Sequence, residues 1–263
     1  MIMRNTVLLL LIFVFSVGAL QAETKKAPRN VNIVFIGNSI TEGAQIANPA
    51  QDAPPKQVQL YLSGKKNIGT VQFVNCGVSG STTLDFLPGS GALFSRTMQN
   101  KTVKAFKKDK DTPLYFSIML GTNDSAITGP HGAPVSSENY KANLKKIIDR
   151  LLADFPGCKI VLHRPIWYSE TTHNGAMYLA EGLNRLQTYT PQIEAIIKEY
   201  KKTAPKRVFM GDRAAFRFFK ENYLTYFVAE EGYAGTFYLH PNEQGAKKLA
   251  EFWGDALYKV IMK

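Results

Sequence analysis

The chain has 263 residues, a length that suits one α/β domain, and 45% of them are hydrophobic, enough to build a full core and to exclude a disordered chain. Its 32 Lys and Arg against 21 Asp and Glu leave a formal charge of +11. The lysines are scattered in short clusters such as Lys107-Lys108 and Lys145-Lys146, with no basic stripe interleaved with aromatics. The charge therefore reads as a solvated surface, and no nucleic-acid partner is expected.

Residues 1–22 read as an export signal. Arg4 gives a positive start, Val7 to Leu20 is nearly all apolar, and small residues ending at Ala22 precede the polar Glu23-Thr24-Lys25-Lys26. The apolar run is shorter than the roughly 20 residues a membrane span needs. The expectation is a domain over 23–263, exported to the periplasm or the exterior, with no stable membrane insertion once the signal is cut. A retained N-terminal anchor is the alternative.

Beyond the signal, short apolar runs alternate with helical patterns. Val31 to Ile36, Val71 to Val74, Leu114 to Leu120, Lys159 to Leu162 and Arg207 to Met210 lead directly or within a few residues into Gly or Pro, the signature of strands buried on both faces. Ser136 or Ser137 can cap a helix whose stripe is Tyr140, Leu144, Ile147, Ile148, Leu151 and Leu152, ended by Pro156-Gly157. A second long helix is expected over Tyr178 to Tyr200, either continuous or broken near Pro191, and a last one over Gln244 to Ile261. This alternation predicts a parallel sheet covered on both sides. Cys76 and Cys158 adjoin the strand-like runs and are expected to be free, buried thiols, and no metal site is expected because no His cluster accompanies them.

Ligands of open parallel sheets bind beyond the carboxyl ends of the strands, and here each strand runs into a polar loop. Gly37-Asn38-Ser39-Ile40-Thr41-Glu42-Gly43 places Ser39 on a tight turn, where it is either exposed for chemistry or a helix cap. Asn75-Cys76-Gly77-Val78-Ser79-Gly80 could present the Gly80 N–H to a ligand or be a plain turn. Gly121-Thr122-Asn123-Asp124 could offer the Asn123 amide, with Asp124 reading as an Asx-turn. His240-Pro241-Asn242 stands just before the last helix, where His240 is either a base reaching over the sheet or a surface residue.

Taken in order, GNSITEG around Ser39, Asn75 to Gly80, Gly121 to Asp124 and His240 to Asn242 resemble the sequence blocks of the SGNH, or GDSL-type, hydrolases. The resemblance runs from about Val31 to the C-terminus. It implies a flavodoxin-like three-layer α/β/α sandwich with a five-stranded parallel sheet in the order 2-1-3-4-5. It also implies a serine esterase that needs no metal or organic cofactor, with Ser39 as nucleophile, His240 as base, and an oxyanion hole formed by the N–H groups of Ser39 and Gly80 and the side chain of Asn123.

One departure matters. Many members carry an Asp three residues before the His, and here that position is Phe237. The imidazole must then be oriented by Glu230 or Glu231, by Asp212, or by a backbone carbonyl, with Glu231 and the carbonyl favoured. For substrate, Trp167 and Tyr168 in the loop after the fourth strand either stack on a sugar or pack beneath the loop, and His131 lies in a loop that could wall the other side. The expectation is a carbohydrate O-acetylesterase acting on acetylated glycans through an acyl-enzyme. The alternatives are a lysophospholipase or thioesterase on the same fold, and a non-catalytic glycan-binding descendant.

Overall fold

The computed structural model of the chain describes residues 27–129 and 131–263, so the signal expected over 1–22 lies outside the described residues. Five parallel strands form the sheet: β1 (Arg29–Gly37), β2 (Ile68–Gly77), β3 (Leu114–Met119), β4 (Lys159–Leu162) and β5 (Val208–Met210), in the order β2-β1-β3-β4-β5. The helices in chain order are α1 (Ser39–Glu42), α2 (Pro49–Asp52), α3 (Pro54–Ser63), α4 (Ala92–Gln99), α5 (Lys101–Lys108), α6 (Ser137–Asp154), α7 (Leu179–Thr203), α8 (Ala215–Glu221), α9 (Tyr223–Tyr226) and α10 (Glu243–Ile261). Between α9 and α10 lies an antiparallel hairpin, β6 (Glu230–Gly232) paired with β7 (Gly235–Phe237). Among the described residues no helix is long and apolar enough to cross a membrane.

The central strands are apolar on both sides because both sides are covered. Phe35 of β1 stacks on Trp253 of α10 with centroids 6.2 Å apart, and α10 packs against α3 on that face. In the register of β1 with β3, Phe116 lies beside Val34, so its side chain points to the opposite face. There it meets Phe155 just past the end of α6, with centroids 5.0 Å apart, while Tyr140 of α6 stacks on Tyr189 of α7 at 4.1 Å. The chain is thus a three-layer α/β/α sandwich.

Local capping explains the helix limits. The Ser136 hydroxyl accepts from the Asn139 N–H at 3.2 Å and starts α6, and the Asn242 side chain accepts from the Gly245 N–H at 2.9 Å and starts α10. α7 continues through Pro191 instead of breaking there. Its buried stripe of Leu186, Tyr189, Ile193 and Ile196 holds the helix together across the lost backbone hydrogen bond. Both cysteines are free; Cys158 is buried and Cys76 is only half-buried.

Asp124 is more than a turn residue. Its enclosed carboxylate accepts from the Thr83 N–H at 2.9 Å and from the Thr83 hydroxyl, and the Asn143 amide donates to that same hydroxyl at 2.9 Å. The loops after β2 and β3 and helix α6 are joined by this one group. Burial, only partly offset by those hydrogen bonds, pushes the Asp124 carboxyl up to about 6.

Phe35→Ala should lower unfolding free energy by about 3–5 kcal/mol in urea titrations, since it removes a fully buried ring from the sheet centre. The native state holds the Asp124 proton above the ordinary carboxylate value of 3.8, so the unfolded chain binds fewer protons between 3.8 and about 6. Stability from this group must therefore fall as pH rises through that window, by at most about 1.4 kcal/mol per unit. Asp124→Asn should flatten that slope in denaturation curves taken from pH 4 to 6.

Candidate active site

Ser39 sits two residues past the end of β1, at the first position of α1. Its neighbour provides the cap: the Asn38 side chain accepts from the Ile40 N–H at 3.1 Å. The Ser39 hydroxyl is thereby left for another partner, and that partner is His240, whose Nε2 lies 3.0 Å from Ser39 Oγ. Two residues 201 positions apart in sequence meet because β1 and the start of α10 end on the same edge of the fold.

The other side of the imidazole faces Glu230 on β6. His240 Nδ1 lies 2.9 Å from Oε1 and 3.0 Å from Oε2, and the His240 backbone N–H donates to Oε1 at 3.3 Å. Gln45 donates its amide to Glu230 Oε2 at 3.1 Å. Both His240 and Glu230 have side chains only 10% exposed. The carboxylate fixes the proton on Nδ1, so Nε2 presents a lone pair to the Ser39 O–H.

Glu230 thus stands where Glu231 or a carbonyl was expected. Along a strand, side chains alternate, so Glu231 points away from His240 and its carboxylate accepts from the Thr236 hydroxyl at 2.9 Å in solvent. Asp212 does not face His240 either. Its two oxygens accept from the N–H groups of Ala214 and Ala215, which fixes the start of α8.

A second serine–histidine contact shows why the carboxylate matters. Ser117 Oγ lies 3.0 Å from His163 Nε2 beneath Trp253. His163 Nδ1, however, accepts from the Asp212 N–H at 3.1 Å, so the proton of the neutral ring sits on Nε2 and is donated to Ser117. Full burial pushes this histidine down to about 3. His163 is a core residue, with the opposite tautomer to the one His240 is given.

Beside Ser39, Gly80 adopts φ +76°, a left-handed turn that suits glycine. Among the described residues, no acceptor faces the N–H of Gly80 or of Ser39. Asn123 is gripped at both ends of its amide: Tyr178 donates to its oxygen at 2.6 Å, and its nitrogen donates to the Ser81 carbonyl at 2.8 Å. One amide hydrogen of Asn123 is left over. Ser39, Gly80, Asn123 and His240 all line one cleft of about 450 Å³, walled further by Ala44, Gly129, Asn174, Gly175, Ala176 and Leu239. Among the described residues, no cluster of three or more His, Cys, Asp or Glu could hold a metal ion.

Of the two readings of Trp167 and Tyr168, packing beneath the loop is the one the structure shows. Trp167 is buried against Tyr223 and Phe227, and Tyr168 is fully buried with its hydroxyl 2.8 Å from that of Ser125. Their loop turns inward because two large rings are better covered than exposed. His131 does not line the cleft; its Nδ1 lies 2.6 Å from Asp85 Oδ1, and its neighbour Gly129 forms the wall instead. Sequence reasoning missed Gln45, Tyr178, Gly175 and Ala176, while Asn174 closes the loop after the fourth strand. None of them lies in a motif block, and only their place in the fold brings them to the cleft.

No curated protein matches the chain. Solved structures do, at low identity. A two-domain esterase active on acetylated mannans superposes with TM-score 0.54 and 14% identity over 90% of this chain, which spans 50% of that protein's length. A carbohydrate acetylesterase from Sinorhizobium meliloti gives TM-score 0.58 and 15% identity, covering 88% of this chain and 99% of that one. The lipase/acylhydrolase from Enterococcus faecalis gives 0.58 and 15%, covering 87% and 96%. These likenesses establish the fold. The GDSL-like Lipase/Acylhydrolase family matches residues 35–248, most of the chain, and the protein therefore belongs to that family.

Proposed function

We propose that the protein is an exported serine ester hydrolase that removes acetyl groups from glycans. One observation carries the reading: an unbroken hydrogen-bonded line from Glu230 through His240 to Ser39, opening on a cleft that holds unengaged N–H donors.

The chemistry runs along that line. His240 Nε2 takes the Ser39 proton as the oxygen attacks the ester carbonyl, and Glu230 stabilises the imidazolium so formed. The carbonyl oxygen becomes an oxyanion facing the N–H groups of Ser39 and Gly80 and the remaining amide hydrogen of Asn123. His240 then passes its proton to the departing sugar hydroxyl, which leaves an acetyl group on Ser39 Oγ. Water, deprotonated by the same imidazole, releases acetate and restores Ser39.

The walls of the cleft favour a small acyl group. Ala44, Gly129, Gly175 and Ala176 are small, Leu239 is the one large aliphatic side chain among the lining residues, and Ser79 and Asn174 are polar. A lysophospholipase or thioesterase would need an apolar channel for its chain, and this lining does not provide one. The non-catalytic alternative leaned on the missing Asp at Phe237, and Glu230 answers that lack. Export rests on the reading of residues 1–22.

Ser39→Ala should abolish labelling by a fluorophosphonate probe and cut p-nitrophenyl acetate turnover by about 10⁴-fold or more. Glu230→Gln should lower kcat by about 10³–10⁴-fold, because the amide keeps the shape but loses the charge that holds the Nδ1 proton; Glu231→Gln should leave the rate unchanged. Acetate release from an acetylated glycan tests the substrate class, and faster hydrolysis of long-chain p-nitrophenyl esters than of the acetate would contradict it.

A further inference from the structure

With Trp167 and Tyr168 buried, the most exposed aromatic ring among the described residues belongs to a residue outside every motif. Tyr233 is 81% exposed, the most exposed of the large hydrophobic side chains among the described residues. It sits at the tip of the β6–β7 hairpin, directly after the Gly232↔Gly235 pair. Leaving so large a ring in water forgoes the stabilisation its burial would bring, yet the ring is held in place. Its centroid lies 5.0 Å from that of the His173 ring, tilted by 51°, and the Tyr233 N–H donates to the His173 carbonyl at 2.8 Å.

The hairpin is joined to the loop after β4 at its tip and along β7. The Thr171 hydroxyl donates to the Thr236 carbonyl at 2.8 Å, and the Tyr238 N–H donates to the Ser169 hydroxyl at 2.9 Å. Gly232 lies so close to this loop that a Cβ there would come within 2.3 Å of the His173 carbonyl oxygen. The residues that follow His173 in sequence, Asn174, Gly175 and Ala176, form a wall of the cleft. At the other end of the same short strand is Glu230, which holds His240. The strand ends at Gly232 and Tyr233 begins the turn, so the backbone of Tyr233 lies within about 10 Å of that of Glu230, the scale of one or two sugar rings.

We infer that Tyr233 is an outer carbohydrate subsite. Its ring, set by His173, stacks on the apolar face of a sugar one or two residues away from the acetylated one, and so selects oligosaccharide esters over small acetyl esters. The inference rests on the esterase reading of the Ser39 site and adds its substrate class. One hairpin then does two things: β6 orients the base, and the tip holds the leaving-group sugar chain.

The test compares Tyr233→Ala and Tyr233→Phe with the wild type on an O-acetylated oligosaccharide and on p-nitrophenyl acetate. Tyr233→Ala should raise KM for the oligosaccharide about tenfold, the loss of one stacking contact, with kcat little changed. Its kinetics on p-nitrophenyl acetate should match the wild type, and Tyr233→Phe should match the wild type on both substrates. Equal losses on the two substrates would mean that the tip only supports Glu230, and no loss on either would mean that the ring touches nothing; both results overturn the subsite. Titration of the deacetylated oligosaccharide, followed by NMR, separates this from failure of the esterase reading. Wild-type binding that Tyr233→Ala weakens supports the subsite even if no ester is cleaved, and equal binding by both proteins contradicts it.

Discussion

A neutral imidazole carries one proton on two nitrogens, and the site depends on which nitrogen has it. With the proton on Nδ1, His240 can accept from Ser39; with it on Nε2, the same ring could only donate, as His163 does to Ser117. The Glu230 carboxylate makes the choice, because it can only accept and lies within 3.0 Å of Nδ1. Every other feature of the site presupposes that contact. Gln45 donates to the far oxygen of the carboxylate, and pairing of β6 with β7 fixes the backbone from which Glu230 projects.

The fold supplies the meeting point. Parallel strands share one direction, so the loops that follow them gather on one edge. Ser39 follows β1, Gly80 follows β2, Asn123 follows β3 and the Asn174–Ala176 wall follows β4. The loops are cross-braced: the Val78 N–H and the Ser81 hydroxyl both donate to the Gly37 carbonyl at 3.1 Å, and Asp124 clamps Thr83. Donors held this way would need no reorganisation if negative charge appeared between them, which is what the proposed acyl transfer asks of them.

The sheet and the pair Ser39 and His240 were legible because each rests on a local signal. Strands buried on both faces read as continuous apolar runs, and the turns that meet at the cleft are punctuated by Gly, Asn and Pro. The orienting acid was legible only as a set of candidates. Choosing between Glu230 and Glu231 requires the facing of one short strand, and three residues carry too little pattern to fix it; the hairpin itself was not anticipated. The two readings of Trp167 and Tyr168 stayed open because composition cannot say whether a loop aromatic finds neighbours, and Tyr223 and Phe227, distant in sequence, cover Trp167. The segment from α2 to α3 and the short helices α8 and α9 also went unread, since they are set by packing and Pro placement more than by periodicity.

The central claim is that Ser39 Oγ, activated through His240 by Glu230, carries the acyl group during turnover. Rapid acid quenching of the wild-type protein in the steady state with an acetyl ester, followed by peptide mass spectrometry, tests it directly. The account predicts one acetyl group on the peptide containing Ser39, with the modified peptide nearly absent when Glu230→Gln is quenched at the same early time. Full turnover with no acetyl on Ser39, or an acetyl group on a different residue, would contradict it.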